Sequence, residues 1–128
     1  MGQTVNLIGF PSSGGSTLIS HHLNKRGKIM GVYIILNKTR STKDEMIIKI
    51  GCSKDIQKRF KQIKSSFKFN GIQDELELYN VIECKEYKLL EKHLHSAMKS
   101  RKITNEWFKT DEEFLNRALM KIDLSYYK

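Results

Sequence analysis

The chain has 128 residues and a formal charge of +9 at pH 7. That length holds one domain plus an appendage and leaves no room for a separate regulatory domain. The excess of Lys and Arg points to a polyanionic partner, nucleic acid first, because neutralising phosphates releases condensed counterions. Two cysteines, Cys52 and Cys84, without closely spaced Cys or His companions, argue against a disulfide framework or a structural zinc site. No apolar run approaches the roughly 20 residues of a membrane span, and no secretory h-region is present. The expected setting is intracellular, cytoplasmic or nuclear, with no membrane attachment and no small-molecule cofactor.

Taken in chain order, residues 1–29 read as a flexible N-terminal extension. They hold the only proline, Pro11, in the polar run Pro11-Ser12-Ser13-Gly14-Gly15-Ser16-Thr17. A phosphate-binding loop there is disfavoured because Gly15 stands where its lysine is needed. Residues 30–128 read as the functional domain. Residues 32–36 are apolar and β-branched or aromatic, which predicts a strand buried on both faces, and residues 46–51 predict a second, joined to the first by a polar connection. On alternation Tyr33 shares a face with Ile35, and Lys49 with Ile47 and Gly51. If those faces pair together, Tyr33 and Lys49 point into one site.

Ser53 or Asp55 can cap a helix running to about residue 65, with Ile56, Phe60 and Ile63 as its apolar stripe. Lys58, Lys61 and Lys64 fall on its other side, while Arg59 sits at the border of the stripe, one turn from Ile56 and Ile63. A third strand is predicted at about 76–82. A helix at about 86–99 follows, with Glu91 and His95 along one edge of its stripe, and a last helix at about 111–122. Trp107-Phe108 between them reads as a core plug. The fold class expected is α/β, a small three-stranded, mainly antiparallel sheet flanked by helices.

Gly31-Val32-Tyr33, Lys49-Ile50-Gly51 with Ser53 and Asp55, Arg59, Glu91 and Glu106-Trp107-Phe108, in this order, resemble the GIY-YIG nuclease superfamily. The branch most similar is the one common in phages and large DNA viruses, and the resemblance covers residues 31 to about 114. It implies a metal-dependent endonuclease acting on DNA. Tyr33 would activate water, Arg59 would contact the scissile phosphate, and Glu91 would hold one Mg²⁺ or Mn²⁺. Those residue types suit the tasks. A guanidinium stays charged and offers forked donors to phosphate oxygens, and a hard carboxylate oxygen matches Mg²⁺. A third group beside them also fits: the ammonium of Lys49, where the superfamily usually has tyrosine, would favour phenolate at Tyr33. Gln62, where many members carry histidine, cannot relay protons.

Singly, each residue has a plainer reading. Tyr33 fits a core, Arg59 and Lys49 solvated charges, and Glu91 a partner for His95 or Lys92. Only the joint spacing points to catalysis. Lys54, Lys58, Lys61 and Lys64 are the expected DNA contacts, to phosphates and not to bases. The competing reading is a module that keeps the nuclease fold and binds nucleic acid without cutting it. Plasmid cleavage separates the two, and oligomeric state is left open by the sequence.

Overall fold

A computed structural model describes residues 7–9 and 28–127, so the expectation for residues 1–29 lies for the most part outside the described residues. Strands β1 (Leu7–Gly9), β2 (Gly31–Asn37), β3 (Met46–Ser53), β4 (Leu76–Glu83), β5 (Lys102–Thr104) and β6 (Trp107–Thr110) alternate with helices α1 (Ile56–Phe69), α2 (Tyr87–Ala97) and α3 (Glu112–Met120). The strands form one sheet in the order β1-β4-β2-β3-β6-β5, every pairing antiparallel.

The three-stranded expectation is therefore corrected. Strands β4, β2 and β3 are its centre, but the domain between Gly31 and Thr110 contains five strands, and Leu7–Gly9 adds a sixth on the far edge. The α/β class stands. The additional strands are three or four residues long, too short to carry a period-two signal of their own, and they exist because a neighbour supplies the hydrogen-bond ladder. Trp107-Phe108 is such a case. Phe108 is fully buried, yet the segment is a strand paired to β3 through Ile48↔Phe108 and Lys49↔Trp107.

Alternation divides the sheet into two faces. Val32, Ile34, Ile48, Ile50, Ile82 and Phe108 point to the face covered by α2 and α3, where Leu90, Leu94, Met98, Leu115 and Leu119 complete the main core. Tyr33, Ile35 and Val81 point the other way and meet Ile56 and Ile63 of α1 in a smaller cluster. Asp55 caps α1 by accepting from the Lys58 amide at 3.2 Å, and Asp111 caps α3 by accepting from the Phe114 amide at 2.8 Å.

The glycines that open β2 and close the second motif are demanded by close approach. A Cβ on Gly31 would collide with the Ile82 carbonyl of β4, and one on Gly51 would collide with the Tyr33 ring and hydroxyl lying across it.

Candidate active site

Strand register places the site. Tyr33 on β2 is opposite Gly51, and Ile35 is opposite Lys49, so Tyr33 and Lys49 lie diagonally on the α1 face. Lys49 is in turn opposite Trp107 on β6. The missing side chain at Gly51 leaves room for the Tyr33 ring, whose residue is only 2% exposed.

Arg59 reaches this floor from the first turn of α1. Burial pushes the Tyr33 phenol above its ordinary value of 10.0. The Arg59 guanidinium beside the hydroxyl opposes that rise, while the carboxylates of Glu106 and Glu91 add to it. Arg59 is thus the cation set against Tyr33. The ammonium of Lys49 is engaged elsewhere, 2.8 Å from Glu106 Oε1 and 5.8 Å from the Trp107 ring centroid.

Glu91 belongs to α2, on the opposite face. It reaches the site because β6 accompanies β3 only as far as Lys49↔Trp107, which leaves the last residues of β3 with an open edge. Helix α2 packs against that edge. His95 donates from Nε2 to the Ile50 carbonyl at 2.9 Å, and its ring meets Phe108 edge-on at 5.0 Å between centroids. The Cys52 thiol donates to Glu91 Oε1 at 3.3 Å, and Glu91 Oε2 lies 3.7 Å from His95 Nε2. Burial and the Glu91 carboxylate push the Cys52 thiol from 9.0 up to about 12, so it stays a neutral donor that steadies the carboxylate. Tyr33, Arg59 and Glu91 therefore converge from a strand, a helix on one face and a helix on the other, around the open edge at the end of β3.

Two concavities meet at Arg59 and Gln62. One is floored by Lys49 and Trp107 and walled by Ile63, Ser66 and Phe67. The other runs past Cys52, Lys54, Asp55, Lys58 and Lys88. Of the expected DNA-contacting lysines, Lys54 and Lys58 line the second concavity. Lys61 and Lys64 are exposed but line neither, since on a 100° helical repeat they fall on the other flank of α1, where Lys64 stacks over Phe60 at 5.0 Å.

Glu106 is the residue that sequence reasoning passed over. It was visible only as the first letter of the Glu-Trp-Phe motif. Its position depends on a tight turn between β5 and β6, in which Asn105 takes the left-handed conformation with φ 45°. That turn sets Glu106 beside Lys49, and its backbone carbonyl accepts from the Ile50 amide at 3.1 Å.

Comparison with known proteins gives a family and one viral relative. The T5orf172 domain matches residues 30–123. Uncharacterized protein 460R of Invertebrate iridescent virus 6 is 34% identical over 89 residues, which is 69% of this chain and 38% of that protein. The chain thus spans well under half the length of that relative. No solved structure matches. Among the described residues no helix is long and apolar enough to cross a membrane.

Proposed function

The chain belongs to the T5orf172 domain family, and from that membership and the site geometry we propose that it is a metal-dependent endonuclease hydrolysing DNA phosphodiester bonds in the GIY-YIG manner. The family's association with endonuclease-like domains supports the class of reaction. The observation that carries the reading is the Arg59 guanidinium against the Tyr33 hydroxyl, with the Glu91 carboxylate at the same open strand edge.

In this reading Arg59 seats the scissile phosphate, and its fixed charge offsets the charge that builds on the phosphoryl oxygens. Tyr33 lies against it, positioned to orient the attacking water. Burial keeps the phenol protonated at neutral pH, so its capacity to accept a proton grows as pH rises, and contact with Arg59 lowers the cost of the phenolate. Lys54 and Lys58 extend the positive track along the DNA backbone, and Lys61 and Lys64 add attraction at longer range.

Glu91 fits a divalent cation by its chemistry. It offers a hard carboxylate held by Cys52 and His95. Among the described residues no three His, Cys, Asp or Glu side chains form a closed metal cage. Mg²⁺ suits such a place, since it commonly binds through one or two carboxylates plus substrate phosphate and water. Mg²⁺ or Mn²⁺ at Glu91 would supply charge neutralisation at the leaving oxygen.

The second reading, a nucleic-acid-binding module that does not cut, is favoured by the raised Tyr33 pKa and by the Lys49–Glu106 ion pair, which together withhold a ready base. Nicking of supercoiled plasmid in Mg²⁺ or Mn²⁺ decides between them. The nuclease reading expects nicking that is abolished by EDTA, by Glu91→Gln and by Tyr33→Phe, with DNA binding retained in Tyr33→Phe. Binding without any nicking, or nicking indifferent to those changes, overturns it.

A further inference from the structure

The concavity on the α1 face carries a feature that phosphate chemistry leaves unused. Phe67 of α1 and Trp107 of β6 pack against each other at one side of it, with ring centroids 6.0 Å apart and planes inclined at 42°. Neither ring is fully buried. The pair forms one wall of a shallow wedge of about 220 Å³ that Lys49, Arg59, Gln62 and Ser66 also line, with the Lys49 ammonium over the Trp107 ring. The ring surface left open there, beside a cationic cleft, suits an occupant with a flat, polarisable face.

The occupant follows from what adjoins the wedge. Arg59 lines both concavities, so a phosphate seated on it has the lysine-bordered track of Lys54 and Lys58 on one side and the aromatic wedge on the other. A nucleotide next to that phosphate can reach the wedge only with its base unstacked from the helix. Every base offers a π-face for such rings regardless of sequence, and the Gln62 amide offers both a donor and an acceptor to a base edge.

Resting on the nuclease reading for the identity of the phosphate at Arg59, we infer that the wedge beside the Phe67–Trp107 pair receives an unpaired nucleobase flanking the scissile phosphate. The preferred substrate is then DNA carrying an unpaired nucleotide at the cleavage point, and fully paired duplex is the poorer one. An unpaired base enters without loss of pairing, whereas a paired one must first be extruded, at a cost of a few kcal/mol.

Trp107 is the chain's only tryptophan, so its fluorescence reports occupancy of the wedge directly. The full chain is titrated, without divalent metal, with three synthetic duplexes: fully paired, with one unpaired thymine, and with an abasic site at that same unpaired position. The expected result is strong quenching and roughly tenfold tighter binding for the unpaired thymine than for the abasic duplex, a difference that Phe67→Leu removes. Quenching by the fully paired duplex at high concentration, again lost with Phe67→Leu, identifies extrusion as the second route into the same wedge. Equal quenching by the abasic and thymine duplexes, or by inorganic phosphate alone, overturns the inference. Failure of plasmid nicking with base-dependent quenching intact removes the nuclease reading and leaves the base site standing. Nicking with no base dependence does the reverse.

Discussion

The two faces of the sheet are built to different standards. Under α2 and α3, aliphatic and aromatic side chains from the sheet and both helices close into a continuous core that includes the fully buried Phe108, Leu90, Leu94 and Met98. Under α1 the cluster is small: Tyr33 is one of its members, and the charges of Lys49 and Arg59 line the concavity beside it. The thick face anchors the strands whose other side carries these charges. Function at a thin face needs a thick face behind it, because ordering a charged side chain costs conformational entropy that local contacts there do not offset.

The largest expected effect breaks the thick face. Phe108→Ala should cost about 3–5 kcal/mol, while Ile63→Ala beneath α1 should fall near 2, at the low end for such truncations. Chemical denaturation of the two variants checks this, and a larger loss at Ile63 would reverse the assignment of structural roles.

The two crowded glycines sharpen the same contrast. At Gly31 the obstacle to a Cβ is the β4 backbone, which cannot step aside; at Gly51 it is the buried Tyr33 ring, which can shift only by repacking its side-chain neighbours. Gly31→Ala should therefore lower stability. Gly51→Ala should lower it less while displacing the Tyr33 hydroxyl, with nicking reduced about a hundredfold, the scale expected of an ångström of misplacement. Paired melting curves and nicking rates separate these outcomes; equal loss of both properties in Gly51→Ala contradicts them.

Alkali probes both faces together. Burial holds the Cys52 and Cys84 thiols up to about 12 and about 11 from 9.0, and raises the Tyr33 phenol as well. Each group stays neutral in the folded chain at a pH where the unfolded chain ionises. The stability they confer is complete below about pH 9 and declines as pH climbs from there through the folded values. Melting temperature followed from pH 7 to 11 should fall on the alkaline side, and a flat profile would mean the thiols and phenol are solvated.

The smallest effect concerns the Lys49–Glu106 pair, whose side chains are 13% and 40% exposed. Glu106→Gln should cost under about 1 kcal/mol, in keeping with partly solvated ion pairs. It also removes an anion that raises the Tyr33 pKa and frees the Lys49 ammonium, so the alkaline limb of the nicking rate should move to lower pH. A pH–rate profile unmoved by the change would make Glu106 a strut for Lys49 without electrostatic reach to Tyr33.

What the sequence by itself determined is local. Apolar, β-branched runs located β2 and β3, the apolar stripe and Asp55 located α1, and the pairing of Tyr33 with Gly51 upheld the assumption that Tyr33 and Lys49 share a face. These follow from side-chain periodicity and capping chemistry, which act over a few residues. Tertiary structure alone decided the rest. The edge strands have too few residues to announce themselves and form only against a partner's ladder. Glu91 approaches Tyr33 from the opposite face only because β6 stops short and leaves the edge of β3 open. Which cation meets Tyr33 also lay beyond the sequence: Glu106, 57 residues away, draws Lys49 aside, and Arg59 takes the place at the hydroxyl because a charge goes to the nearest partner in space, whatever its distance along the chain.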